Sequence, residues 1–178
     1  MVQKEKAPEL SPPTEGPPKA GEAELKPPEI VDLLGKVDKL LREGQPERGL
    51  ETAGRAGLKS PWVTNTLGVC QLRLGNSRVA VDVFRGLVLG TGGLVLRQDV
   101  PAVFKTNYAT ALLLSGNVSG GLRALDEVQD EQSPAVGKLR EAVRRWVRGL
   151  PFWQRVNWWL GGEPDCPLAL DFPPGDLE

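Results

Sequence analysis

The sequence feature that most constrains the fold is a series of apolar residues at three- and four-residue spacing, interrupted by pairs of glycine and a polar residue. In "LGVCQLRLGNSRVAVDVF", residues 67–84, two such runs flank the pair Gly75-Asn76. Similar breaks occur at 44–45 and 116–117. This spacing places apolar side chains on one face of a helix, and glycine favours the left-handed conformation that ends one. The pattern therefore predicts three helix–turn–helix units.

Prolines and capping residues indicate where several helices begin. Ser60-Pro61 and Ser133-Pro134 each place an N-capping residue before a proline, which is well tolerated at the first helical position. Pro28 fits the first turn of a helix whose apolar stripe consists of Ile30, Leu33, Leu34, Val37, Leu40 and Leu41. A second, weaker helix is expected over about residues 46–57.

Small residues recur where two helices of a pair would touch. Packed helices approach to about 8–10 Å, and a small side chain lets one helix lie close against the next. We expect Gly68 and Ala80 to provide this contact in one hairpin, with Leu67, Leu72 and Phe84 around it. The corresponding small residues of the other two hairpins are Gly49 and Ala53, and Ala109 and Gly121.

The composition argues against several classes of function. The chain has no histidine, which removes the commonest general base and metal ligand. Its net charge is -1, so no overall field attracts the chain to nucleic acid or anionic lipid. Its two cysteines form no CxxC pair. We therefore expect no catalytic residues, no metal and no cofactor. The N-terminus lacks the apolar core of a signal peptide, so we expect a cytoplasmic protein.

The first 28 residues differ in composition from the rest of the chain. They hold seven of the sixteen prolines and nine charged residues. Such a segment buries too little apolar surface to offset its conformational entropy. We predict a disordered Pro/Glu/Lys-rich tail over 1–28, and "SPPTEGPPKAG" within it leaves a polyproline ligand as the alternative.

Two segments resemble a known repeat family. "WVTNTLGVCQLRLGNSRVAVDVFRGLV" resembles a tetratricopeptide repeat in Leu67-Gly68, Gly75-Asn76, Ala80 and Phe84. "FKTNYATALLLSGNVSGGLRALDEV" is similar in Asn107-Tyr108-Ala109, Gly116-Asn117, Gly121 and Leu125. Repeats of this family span 34 residues. The resemblance implies an all-α solenoid of antiparallel helix hairpins, with repeats at 29–60, 61–98 and 99–132 and capping helices at 133–160, which together make a domain over 29–160.

The resemblance also implies a concave groove lined by the first helix of each pair. Transferred to this chain, the groove is mainly apolar, which suits an apolar peptide or a helix of a partner protein rather than a small-molecule substrate. The alternative is that some of these positions are core, or are covered by the chain's own tail. The candidate groove residues are Leu34, Leu41, Trp62, Asn65, Val69, Leu72, Arg73, Thr106, Thr110 and Leu113.

A basic, tryptophan-rich stretch follows the repeats. Residues 138–159 contain six basic side chains, a single acid and four of the five tryptophans. We predict a terminal capping helix pair with a polar outer face. A peripheral membrane helix and a nucleic-acid surface remain alternatives. The residues that would act in either alternative are Arg140, Arg144, Arg148, Trp146 and Trp153.

The last segment, 161–178, is predicted to be an extended C-terminal tail. Glycines, prolines and acids surround its apolar "PLALDF", and it is too short to fold alone. It could lie along the repeats, dock on another molecule, or place its acids on the basic stretch.

Overall fold

The regular secondary structure of the chain is helical. The computed structural model describes residues 26–90, 93, 95–128 and 133–177, and within these ranges the only β-type pairing is an isolated bridge between Leu89 and Leu96. The prediction of an all-helical chain is therefore confirmed. The helices are α1 (Pro28–Arg42), α2 (Pro46–Arg55), α3 (Pro61–Arg73), α4 (Ser77–Val88), α5 (Ala102–Leu114), α6 (Val118–Asp126), α7 (Pro134–Gly149) and α8 (Phe152–Trp159).

The three breaks seen in the sequence are tight turns between paired helices. Gly44, Gly75 and Gly116 have φ values of 71°, 78° and 94°, a region that residues with a Cβ rarely adopt. α1 packs against α2, α3 against α4 and α5 against α6, and each pair is also in contact with the next. Each glycine therefore reverses the chain within a helix pair.

Helix starts follow the predicted prolines. α1, α3 and α7 all begin at a proline, and the Ser60 side chain accepts a hydrogen bond from the Trp62 amide at 3.3 Å. α1 begins at Pro28, one residue before the predicted boundary. Most of the predicted disordered tail, residues 1–25, lies outside the described residues.

Close contacts inside the helix pairs depend on glycine. A Cβ added at Gly68 would lie 2.5 Å from two ring atoms of Phe84, and one at Gly121 would lie 2.6 Å from Cγ of Leu113. Ala80 of α4 is fully buried. The predicted close contact of Gly68 with Phe84 is therefore present, whereas a side-chain atom of Leu72 lies by Gly175 of the C-terminal residues.

One continuous core runs through the molecule. Val37, Val69, Phe84, Leu113 and Leu139, from five different helices, are each at most 1% exposed and belong to the same cluster. α7 extends the stack through contacts with α5. Among helices in the described part of the chain, none combines the length and apolar character needed to cross a bilayer.

Candidate functional site: a groove and its C-terminal segment

The segment after α8 folds back over the first helices of the three pairs. We call residues 161–177 the C-terminal segment. Asp171 accepts two hydrogen bonds from the Arg145 guanidinium, at 2.7 and 2.9 Å, and the Trp146 indole donates to the carbonyl of Cys166 at 3.2 Å. α7 therefore holds the segment at Cys166 and Asp171, and one of the segment's acids does pair with the basic stretch.

Two buried asparagines hold the backbone of Asp176. Asn107 Nδ2 donates to the Asp176 carbonyl at 2.7 Å, while Asn107 Oδ1 accepts from the Asp176 amide at 2.9 Å. Asn107 Nδ2 also donates to Asn65 Oδ1 at 2.9 Å, and Asn65 Nδ2 donates to the same carbonyl of Asp176 at 3.3 Å. Both asparagines are at most 1% exposed. An amide side chain that bonds both the N–H and the C=O of one residue serves its main chain as a neighbouring strand would.

Arg73 binds the two residues before Asp176. Its Nε donates to the Pro174 carbonyl at 2.6 Å and its Nη2 to the Gly175 carbonyl at 3.0 Å. Burial lowers the pKa of Arg73 from its ordinary value, while the carboxylates of Asp176 and Asp38 oppose that shift. A guanidinium stays charged in proteins, so both hydrogen bonds are charge-assisted. The positive charge of Arg73 thus lies against main-chain oxygens of the segment.

Two residues of the segment fit the apolar parts of the groove. Gly175 has φ 82°, and a Cβ there would lie 3.2 Å from side-chain atoms of Val69 and Leu72. Leu177 is 8% exposed and lines a cavity of about 440 Å³ together with Val31 and Leu34 of α1. The groove therefore accepts a glycine over α3 and an aliphatic side chain against α1.

The segment does not fill the groove completely. A cavity of about 420 Å³ lies beside Phe172 and Pro173, and its lining includes the polar residues Thr106, Thr110 and Lys138. Water or a larger side chain could occupy this space.

Seven of the ten predicted groove residues lie at the C-terminal segment or at the cavities beside it. Trp62 packs edge-on against Phe104 at 4.9 Å between ring centroids, and the Lys26 ammonium lies 3.8 Å from the centroid of its ring. Leu41 and Leu113 instead contact the second helix of their own pairs, at Gly49 and Gly121. The seven are Leu34, Asn65, Val69, Leu72, Arg73, Thr106 and Thr110.

Asn107 was not among the predicted groove residues and appeared only in the repeat pattern. In the structure it bonds both polar groups of the Asp176 backbone. A signal was present, because an asparagine within the largely apolar helix "AVFKTNYATALLL" has to find a buried partner.

The predicted basic and aromatic patch is divided between two surfaces. Trp146 is half-buried against Trp158, with ring centroids 5.9 Å apart, and faces the core and the C-terminal segment. Arg140 lies 3.9 Å from Asp126 and Arg144 lies 3.8 Å from Glu141. The other two residues of the patch, Arg148 and Trp153, are exposed.

The two thiols lie in different surroundings. Cys70 is fully buried in the core, and burial raises the pKa of its thiol to about 11 despite the charge of Arg73. Cys166 is exposed on the C-terminal segment. Among the described residues, no group of three or more cysteine or carboxylate side chains is placed to hold a metal ion.

Neither protein-family models, nor curated proteins, nor solved structures gave a match to this chain.

Proposed function

We propose that the chain is a non-catalytic protein-interaction module of the tetratricopeptide-like class, whose groove binds an extended, apolar segment of a partner protein. One observation carries the proposal. Asn65, Asn107 and Arg73 all bind main-chain atoms of the segment that occupies the groove. Recognition of this kind accepts different sequences, because every extended peptide offers the same N–H and C=O groups.

The same hydrogen bonds favour an extended ligand over a helical one. The main-chain groups of a helix are bonded internally, so a helix would leave the two buried asparagines without the partners they have here. Selectivity would come from side-chain size. A ligand needs glycine where Gly175 lies over Val69 and Leu72, and an aliphatic residue two positions later, as at Leu177.

A partner must compete with the C-terminal segment. A segment attached to the same chain acts at an effective concentration in the millimolar range, so a weakly binding partner would not displace it. We infer that binding in trans depends on release of the segment or on a ligand with better contacts at the cavity beside Phe172.

The test uses a variant that releases the segment and leaves the groove unchanged. Gly175→Val adds a Cβ against Val69 and Leu72 and strains a backbone at φ 82°. A fluorescent peptide with the sequence of residues 163–178 should bind the Gly175→Val chain, measured by fluorescence anisotropy, and should bind the unchanged chain at least about tenfold more weakly. The matched control is Gly93→Val, which strains a glycine at φ 71° with nothing within 4 Å of the added Cβ.

A second arm tests the groove itself. Adding Asn107→Leu to the Gly175→Val chain should abolish peptide binding. The backbone N–H of the peptide residue matching Asp176 then loses its partner, and its carbonyl keeps only the 3.3 Å hydrogen bond from Asn65. The proposal is wrong if the released groove, with helical content intact by circular dichroism, binds neither this peptide nor any member of a library of extended peptides.

A further inference from the structure

The outer face of α8 is a continuous apolar surface exposed to solvent. Phe152, Trp153, Trp159 and Leu160 are 66%, 77%, 87% and 83% exposed, and Val156 between them is partly exposed. These positions follow the spacing i, i+1, i+4, i+7 and i+8, which places all five on one side of a helix. We call these five residues the α8 face.

The opposite side of α8 is the side that packs on the protein. Trp158 contacts the core and stacks edge-on with Trp146 of α7. Gln154, one turn earlier on the same side, is half-buried. Because Trp158 fixes the rotation of the helix, the α8 face points away from the molecule. Large apolar side chains grouped in this way on a surface indicate an interaction site.

Positive charges predominate beside the α8 face. Residues 142–162 contain four arginines and no acid. Arg145 is paired with Asp171 and Arg144 lies 3.8 Å from Glu141, while the side chains of Arg144, Arg148 and Arg155 are all exposed. Arg155 lies one turn from both Phe152 and Trp159, and its guanidinium donates to the carbonyls of Arg148 and Leu150 at 3.2 and 3.1 Å. Arginine side chains therefore lie at the edge of the α8 face, where they can contact an anionic surface.

We propose that α8 is an interfacial anchor that binds the surface of an anionic lipid bilayer. The α8 face enters the boundary between headgroups and acyl chains, and Arg144, Arg148 and Arg155 contact lipid phosphates. Tryptophan and phenylalanine are the side chains that favour this boundary, and basic residues near an anionic leaflet add to the attraction. The site lies on the outer side of α8 and does not involve the groove.

The composition of the face favours lipid over nucleic acid. Single strands bind by stacking bases on accessible aromatic rings, whereas Phe152 and Trp153 already stack edge-on with each other at 5.3 Å between centroids. Val156 and Leu160 have no role in base stacking but gain from immersion in acyl chains. A bilayer surface uses all five side chains at once.

The experiment is co-sedimentation of the full chain with vesicles. One set is phosphatidylcholine alone, and the other contains about one-third phosphatidylglycerol. We expect the unchanged chain to pellet with the anionic vesicles at low salt and to bind more weakly as salt rises. The double variant Trp153→Ser, Trp159→Ser should lower the partition coefficient at least about tenfold, because it removes the two most exposed rings. Arg144→Gln with Arg148→Gln should reduce binding to anionic vesicles and leave the weak binding to neutral vesicles unchanged.

The matched control is Val79→Ser, which removes an exposed apolar side chain from α4, 49% exposed and on a different helix. Its vesicle binding should equal that of the unchanged chain. The proposal is overturned if the full chain fails to pellet with anionic vesicles at low salt, or if the tryptophan variant pellets equally well. Binding to polyuridylate through the same residues, without vesicle binding, would assign the surface to nucleic acid and would also overturn it.

Discussion

Gly68 is the residue at which the packing of α3 on α4 is most sensitive to one added carbon. Gly68→Ala would place its Cβ 2.5 Å from the Phe84 ring, which is itself fully buried. Overpacking of this kind costs about 1–3 kcal/mol, and the better helix propensity of alanine recovers about 1 kcal/mol at most. We expect a lower free energy of unfolding by urea denaturation, with part of the loss restored by Phe84→Leu in the same chain.

The control for this substitution is another glycine of the same pair. A Cβ at Gly86 of α4 meets nothing within 4 Å, so Gly86→Ala should raise stability by about 0.5–1 kcal/mol. If Gly68→Ala raised stability by the same amount, the close contact with Phe84 would not be a feature of the molecule in solution.

The two cysteines should differ sharply in reactivity. Cys70 is buried with its thiol pKa raised to about 11, so about one molecule in a thousand carries a thiolate there at pH 8. Cys166 is exposed. We expect iodoacetamide to label Cys166 and to leave Cys70 unlabelled until the chain unfolds, as read by peptide mass spectrometry. Equal labelling of both thiols in the folded chain would contradict this.

The same thiol makes stability depend on pH in alkaline solution. Its pKa is higher in the folded chain than the ordinary value of 9.0, so its contribution is complete below pH 9 and is lost as pH rises towards 11. The slope is at most about 1.4 kcal/mol per pH unit. The unfolding free energy of the unchanged chain should therefore fall more steeply between pH 9 and 11 than that of Cys70→Ala, which has no thiol to titrate.

Single residues show which parts of the site a sequence can reveal. Gly44, Gly75 and Gly116 were predictable, because turn geometry is local and only glycine adopts it cheaply. Leu41 and Leu113 were predicted to line the groove because helical spacing places them on an apolar face of their helices. The spacing alone does not determine which neighbouring element that face contacts. Asn107 was missed because its partner, the backbone of Asp176, lies 69 residues away.

At the scale of whole elements, the contact that fixes the C-terminal segment to α7 can be tested separately from the groove. Asp171→Asn removes the paired hydrogen bonds with Arg145. We expect hydrogen–deuterium exchange of amides in residues 166–177 to become several-fold faster while helix amides are unaffected, because the helices do not depend on this exposed ion pair.

Asp99→Asn is the matched control, since Asp99 is also bonded by one guanidinium, that of Arg97, but lies between α4 and α5.

The Arg145 hydrogen bonds hold the pKa of Asp171 below its ordinary value. The contact is therefore complete above the ordinary pKa and is lost only as pH falls through the lowered one. Protection factors of the segment amides that were already lower at pH 6 than at pH 7 in the unchanged chain would contradict this.

The helices could be predicted from the sequence, and the course of the C-terminal segment could not. Helical periodicity, capping residues and glycine turns are local, and they predicted the three helix pairs and the starts of α1, α3 and α7 at their prolines. The segment is extended and rich in proline and glycine, so it has no periodic apolar pattern from which its position could be predicted. Its place is set by contacts such as Asn65 with Asp176, 111 residues apart.

At the scale of the whole molecule, the C-terminal segment joins elements that the helix stack alone leaves distant. In a stack of helix pairs each unit contacts only its neighbours, so stability is coupled locally. Here one segment is bonded to α7 through Arg145 and to α3 and α5 through Asn65 and Asn107, and it reaches α1 through Leu177. The first and last helix pairs are therefore coupled through it.

This coupling predicts that release of the segment changes how the chain unfolds and not only how stable it is. In the unchanged chain, α1 and α7 should lose protection from hydrogen–deuterium exchange at the same urea concentration, because the segment links them. In Gly175→Val they should separate, with one end of the stack opening before the other, and the apparent m-value should fall. Gly93→Val, strained but with nothing within 4 Å of the added Cβ, should keep the two transitions together. If the transitions of α1 and α7 stayed coincident in Gly175→Val, the helix stack alone would account for cooperativity, and the segment would be a removable occupant of the groove with no part in holding the molecule together.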